Sequence, residues 1–173
     1  KDSRVRYIRQ QGNIGGTANY QFVLDEAVGD YFIWMAADDL QEGKFVEVLV
    51  RALDKDSKTV LAMTDVKNID DRGQALGVDV LELASAYGDE SLSWPQYNFF
   101  RNPISNIYFA FYGLYRRKVL TRIELNYENL LLYATGWEIP LLAQVALLGS
   151  IVRVQGPFKI YRRHDKSMYH SEI

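Results

Sequence analysis

An α/β fold, with a mostly parallel central sheet flanked by helices, is what this sequence predicts, and three observations carry the expectation. Apolar runs of strand length alternate with segments of helical spacing through the amino-terminal half. Residues 31–36 form a continuous apolar run, the pattern of a strand buried on both faces. Asp38 and Asp39 follow at the carboxyl end of that run, where α/β sheets bind ligands.

Taken in order, residues 4–10 alternate Val5 and Tyr7 with Arg4, Arg6 and Arg9, which suits a short strand. Gly12, Gly15 and Gly16 punctuate a loop. Thr17 or Asn19 is placed to cap a helix running to about Val28, with Tyr20, Val23, Leu24, Ala27 and Val28 at helical spacing. After the 31–36 strand, a second helix is expected over residues 43–55 with Phe45, Val48, Leu49 and Leu53 inward. Residues 59–69 read as the next strand, and Asp70-Asp71-Arg72-Gly73 as a hairpin-type turn. Residues 77–103 read as loops around a short helix. Residues 109–115 suit a strand and 116–123 a short helix. A helix over 136–148 tolerates Pro140 in its first turn. Strands at 151–154 and 157–161 close the pattern, followed by a polar tail.

The chain of 173 residues has the size of one domain and is read as such over residues 1–173. Its 12 Tyr outnumber 8 Phe and 3 Trp, which fits either ordinary core-edge packing or half-buried rings lining a polar-ligand cleft. A net charge of -2 gives no global basic field, so no nucleic-acid partner is expected. The absence of cysteine excludes disulfide frameworks and thiolate zinc sites and fits a reducing compartment. Glu138, Pro140 and Gln144 interrupt the most apolar stretch, residues 130–148, so it reads as a buried helix and not a transmembrane segment.

Four sites carry chemistry, each with a plainer alternative. Two carboxylates beside an apolar strand call for cationic compensation, such as a divalent metal bridging a diphosphate; Asp38 or Asp39 as a helix cap is the alternative. The glycines of Asn13-Ile14-Gly15-Gly16-Thr17-Ala18-Asn19 allow close backbone approach to a ligand, although the loop also reads as a simple turn into a helix. Glu138, following Gly136 and Trp137, suits a general base with a raised pKa, or a carboxylate favoured by the helix dipole. In Tyr161-Arg162-Arg163-His164 the two arginines suit diphosphate oxygens and the imidazole a metal, or the segment is a solvated basic tail.

The ordered set of Arg4-Val5-Arg6-Tyr7, Asn13-Ile14-Gly15, Asn19, Ala27-Val28-Gly29-Asp30-Tyr31, the Asp38-Asp39 motif, Gly113 with Arg116-Arg117, Gly136-Trp137-Glu138 and Arg163-His164 resembles the family 2 glycosyltransferases of the GT-A fold. The resemblance implies transfer of a sugar from a nucleotide-diphosphate sugar to an acceptor hydroxyl, inverting and metal-dependent, in bacterial-type polysaccharide or glycoconjugate synthesis. It implies Glu138 as catalytic base, in a position usually held by Asp. Asp38, Asp39 and His164 would be metal ligands for Mn2+ or Mg2+, and Asn13, Gly15, Asn19 and Arg163 would lie at the nucleotide. It implies a saccharide or lipid-linked acceptor and a cytoplasmic location, extending to peripheral association with the inner face of the membrane. Ala36 departs from the family pattern, in which an Asp opens the acidic motif. The family's opening strand and nucleoside-binding Asp would lie upstream of Lys1, so the sheet is expected to lack its first strands, and the chain alone to be a poor catalyst prone to self-association. A non-catalytic sugar- or nucleotide-binding module and a nucleotidyltransferase are the rival readings.

Overall fold

Six strands form one sheet in the computed structural model, which describes residues 2–79, 107–123 and 138–164. They are β1 (Tyr31–Phe32), β2 (Leu40–Gln41), β3 (Thr59–Ile69), β4 (Ala75–Asp79), β5 (Leu114–Arg116) and β6 (Ser150–Arg162). The helices are α1 (Gly16–Asp25), α2 (Phe45–Lys55), α3 (Arg117–Leu120) and α4 (Glu138–Leu148), with a 3-10 helix at Ile107–Tyr112. The loops expected from residue 80 to 103, and Gly136 and Trp137, lie outside the described residues.

β3 organises the sheet, because its side chains are buried along nearly its whole length. The strand order is β1-β5-β3-β6-β2, and β4 pairs with β3 off this path. Leu61 and Ala62 in the first half of β3 pair with β5, and Val66 to Ile69 pair with β4. The Asp70 turn that joins β3 to β4 is a hairpin as expected. Gly73 takes φ 83, and the Asp70 carboxylate accepts from the backbone N–H groups of Arg72 and Gln74.

The α/β class with helices on both faces agrees with expectation; the mostly parallel arrangement does not. Among the described strands only β3 and β6 pair in parallel, and the other pairings are antiparallel. The reason lies in the connections. A parallel neighbour needs a long crossover, usually a helix. Of the connections described, only α4 delivers its following strand, β6, parallel to a neighbour, whereas the 70–73 turn folds β4 straight back on β3.

On one face, Phe45, Leu49 and Leu53 recur at i, i+4 and i+8, so α2 presents one apolar stripe to Ala62 and Leu114. Burying each such side chain contributes about 2 kcal/mol. On the other face, α1, α3, α4 and the 3-10 helix close over Leu61, Met63 and Val66. Trp34 anchors that layer, stacked on Phe111 at 4.6 Å and edge-on to Phe32 and Tyr115. Two junctions require glycine for space. A Cβ on Gly113 would lie 2.6 Å from the Ala62 carbonyl, and one on Gly149 2.4 Å from the Lys58 carbonyl.

Several local expectations are corrected. Residues 4–10 form no strand; they are mostly exposed, and Arg6 is held by Glu26. Gly15, rather than Thr17 or Asn19, stands before α1, and the helix stops at Asp25. Only Tyr31–Phe32 of the 31–36 run joins the ladder, and burial alternates, with Phe32 and Trp34 inside and Met35 exposed. Residues 107–112 are 3-10 helix, which leaves β5 to begin at Leu114. The two closing strands are one, β6, interrupted by a bulge. The Asp65 carboxylate holds that bulge, accepting from Arg153 at 2.6 and 2.7 Å and from the Gly156 N–H at 3.1 Å.

Candidate active site

β1, β3 and β6 point the same way, since β5 opposes β1 and β3 while β6 parallels β3. Their carboxyl ends therefore share one end of the sheet. Residues 38 and 39 sit between β1 and β2. Because Leu40 pairs with Ile160, both aspartates land beside the end of β6.

The two neighbours differ. The side chain of Asp39 is 4% exposed and meets Lys159 Nζ at 2.7 Å, and its other oxygen accepts from the Arg162 backbone N–H at 3.1 Å. The Lys159 ammonium also lies 4.4 Å from the centre of the Tyr112 ring. Asp38 keeps a half-exposed carboxylate, which accepts from His164 Nε2 at 2.7 Å. That hydrogen bond is the main reason its carboxyl is held below the usual range, against an opposing effect of burial. Arg162 locks the motif in place by donating to the Asp38 carbonyl and to those of Asp70 and Asp71.

Arg163 turns elsewhere. Its backbone N–H donates to Ile69, and its guanidinium donates to Asn68 Oδ1 at 3.0 Å and Asp79 Oδ2 at 3.4 Å, on the β3–β4 hairpin. Asn13, Gly15 and Asn19 are exposed at the start of α1. Asn13 Oδ1 accepts from the Gly15 N–H at 2.9 Å, and Gly15 takes φ 80. No hydrogen bond joins these three to Asp38 or His164 among the described residues.

Glu138 opens α4 and is buried. α4 leads into β6 at Ser150, which bonds to Lys58 at the amino end of β3, so the helix runs back along the sheet and its first turn lies toward the carboxyl end. Electrostatics agree with that placement. The hydroxyls of Tyr20 and Tyr112 share a hydrogen bond, and burial is the main cause that pushes both upward. Glu138, Asp38 and Asp39 all add to the rise at Tyr20, and Asp39 and Glu138 to that at Tyr112. Three carboxylates thus bear on one pair of phenols, and Tyr112 remains a neutral hydroxyl throughout the physiological range.

Asp38 and His164 put a carboxylate and an imidazole at one point, which fits part of the ligand shell of a divalent cation. Asp39 does not fit, since Lys159 and Arg162 already hold both its oxygens. Among the described residues, no three His or acidic side chains gather as a ready-made metal shell.

Sequence reasoning missed Lys159 and the Tyr20–Tyr112 pair as parts of this site, and singled out Arg163 where the structure brings Arg162 to the acidic motif. Lys159 had a signal: a lone lysine inside an apolar strand needs a buried anion. The excess of tyrosine pointed generally to the phenols. Arg162 stood beside Arg163 with nothing local to tell them apart.

No curated protein matches the chain. The family model for glycosyl transferase family 2 matches residues 1–123, a span that includes the Asn13 loop, the acidic motif, β3 and Arg116-Arg117. With that match over most of its length, and a mixed α/β sheet carrying acidic residues at its carboxyl end, the chain belongs to glycosyl transferase family 2.

Proposed function

We propose that this domain transfers a sugar from a nucleotide-diphosphate sugar to an acceptor hydroxyl with inversion, using Glu138 as general base. The supporting observation is that Glu138, at the start of the helix that leads back into β6, lies toward the same carboxyl end of the sheet as the acidic motif. The base and the diphosphate end of the donor would then face each other across one cleft. Glu138 takes the proton of the acceptor hydroxyl as its oxygen bonds to the anomeric carbon. The bond from that carbon to the diphosphate oxygen breaks, and the electron pair leaves with the nucleoside diphosphate. Burial of Glu138 excludes water from the proton transfer. The Tyr112 hydroxyl, fixed by Tyr20 and by Lys159 over its ring, forms part of the same wall.

Asp38 and His164 are the residues that would hold Mn2+ or Mg2+, which when bound offsets charge on the leaving diphosphate. Asp39 serves instead to hold β2 to β6 through Lys159. Asn13, Gly15 and Asn19 would approach the nucleotide from the start of α1. Arg163 would do so only by releasing Asn68 and Asp79. The acceptor would be a saccharide or lipid-linked sugar, met at the cytoplasmic face of a membrane, and residues 1–173 would act as one domain. No helix among the described residues is long and apolar enough to cross a membrane.

Glu138→Gln tests the base. Transfer should fall by about 100- to 10,000-fold, while binding of nucleoside diphosphate with Mn2+, measured by calorimetry, stays within a few-fold. Undiminished turnover would remove Glu138 from the mechanism. A binding module without transfer is the second reading, favoured by Ala36 in place of an acidic residue and by the engagement of Asp39. It predicts metal-linked nucleotide binding with no turnover in the unmutated chain.

A further inference from the structure

The opposite end of the sheet holds a concavity. It encloses about 290 Å³ and is lined by Gly29, Asp30, Tyr31, Arg116, Arg117 and Lys118. Tyr31 begins β1 and pairs with Arg116, the last residue of β5, so the pocket opens at the amino end of β1, away from Asp38 and His164. The loop before β1 is pinned there. The Arg117 side chain donates to the Gly29 carbonyl at 2.6 Å, and its backbone N–H donates to the Asp30 carbonyl at 2.9 Å.

Three consecutive cations meet here, and among the described residues none is paired directly with a carboxylate. Arg116 donates to the carbonyls of Thr59 at 2.8 Å and Leu53 at 2.6 Å and stands 5.7 Å from the centre of the Tyr31 ring. Its charge is therefore fixed in place while its partners are neutral. Arg117 uses Nε on Gly29 and leaves its two terminal nitrogens unengaged, and Lys118 is exposed with no hydrogen bond or ion pair among the described residues. The one acidic side chain in the lining, Asp30, is exposed and pairs with none of them. Three positive charges outnumber the carboxylates of Asp30, in the lining, and of Asp54, which accepts from the Tyr31 hydroxyl, so the cleft keeps a net positive potential. A forked guanidinium beside a mobile ammonium matches the tetrahedral oxygens of phosphate. The volume is at the small end for ligand sites, enough for a phosphate and a short attached group.

We infer that this pocket is a phosphate-binding site, separate from the transfer site, in which Arg117 and Lys118 contact the oxyanion and Arg116 supplies a fixed field. The phosphate belongs either to a soluble phosphorylated compound or to a phospholipid headgroup. Val28, 91% exposed immediately before the lining, separates the two, since an aliphatic side chain there assists only a lipid ligand. The site does not depend on the proposed transfer reaction, and its test needs no turnover.

Inorganic phosphate titrated against chloride at constant ionic strength, followed by amide shifts of Gly29, Asp30 and Lys118, should saturate. Lys118→Gln should weaken binding at least about fivefold, and Asp30→Asn should tighten it about two- to fivefold. Among the described residues the Lys118 ammonium and the Asp30 carboxylate hold no partner, so these changes report the ligand and not the scaffold. Phosphatidylcholine vesicles with and without phosphatidic acid identify the source. Sedimentation that requires phosphatidic acid and falls in both Lys118→Gln and Val28→Asp assigns a headgroup, and phosphate binding without sedimentation assigns a soluble compound. Non-saturating shifts, or equal affinity in Lys118→Gln, together with no selective sedimentation, would overturn the site.

Discussion

The two ends of the sheet handle charge in opposite ways. At the carboxyl end the side-chain carboxylates are answered, Asp39 by Lys159 and Asp38 by His164, while Arg162 donates to carbonyls. At the amino end the cations answer dipoles: Arg116 caps the carbonyls of Thr59 and Leu53, and Arg117 that of Gly29. The difference teaches that the consequence of removing a cation depends on what stays behind. A stranded carboxylate is a bare charge in low dielectric; a stranded carbonyl is a neutral group that water can reach.

Lys159→Met should produce the largest loss, about 3–5 kcal/mol by urea unfolding, because Asp39 would be left buried and ionised. Adding Asp39→Asn should restore part of it. If the single variant is no less stable than the parent, the carboxyl end is not held by charge pairing. Arg116→Gln should cost less, about 2 kcal/mol, since only neutral partners, carbonyls and the Tyr31 hydroxyl, are released. A loss equal to that of Lys159→Met would erase the distinction between the ends.

Asp38→Asn should change stability least, by at most about 1 kcal/mol, because its pair with His164 is half exposed. Its effect carries a definite sign with pH. The folded carboxyl is held below its ordinary range, so its contribution is present above about pH 4 and is lost as pH falls through the folded value. Urea midpoints measured from neutral pH into acid should therefore drop more steeply in the parent than in Asp38→Asn; parallel curves would assign the acid sensitivity to other carboxylates.

Much of this contrast was legible in residue order, though not in pairing. β3 was read at Thr59–Ile69 and found there, since a strand buried on both faces and ended by Asp70-Asp71-Arg72-Gly73 has both its period and its stop written locally. α2 differs from its reading only at the start, and α4 ends at Leu148 as read. The failures are non-local. Residues 107–112 carry aromatics at nearly every position, a pattern that suits a strand as well as a packed 3-10 turn, and tertiary contacts with Trp34 and Tyr20 decide between them. The direction of strand pairing depends on partners far along the chain. Of the acidic motif, the residue types were readable, but which aspartate faces solvent depends on a lysine in β6.

That dependence has a consequence for folding. Lys159, Arg162 and His164 all come from or directly follow β6, yet they secure a motif more than a hundred residues earlier. Hairpin β3–β4 closes locally, but β6 docks on β3 only after a long loop has been ordered, and such distant pairings form late. Until then Asp38 and Asp39 remain hydrated and without their cations. Desolvation of Asp39 and alignment of Asp38 with His164 therefore belong to the final stage of assembly, so a molecule that stalls before β6 docks carries its acidic motif with no working site.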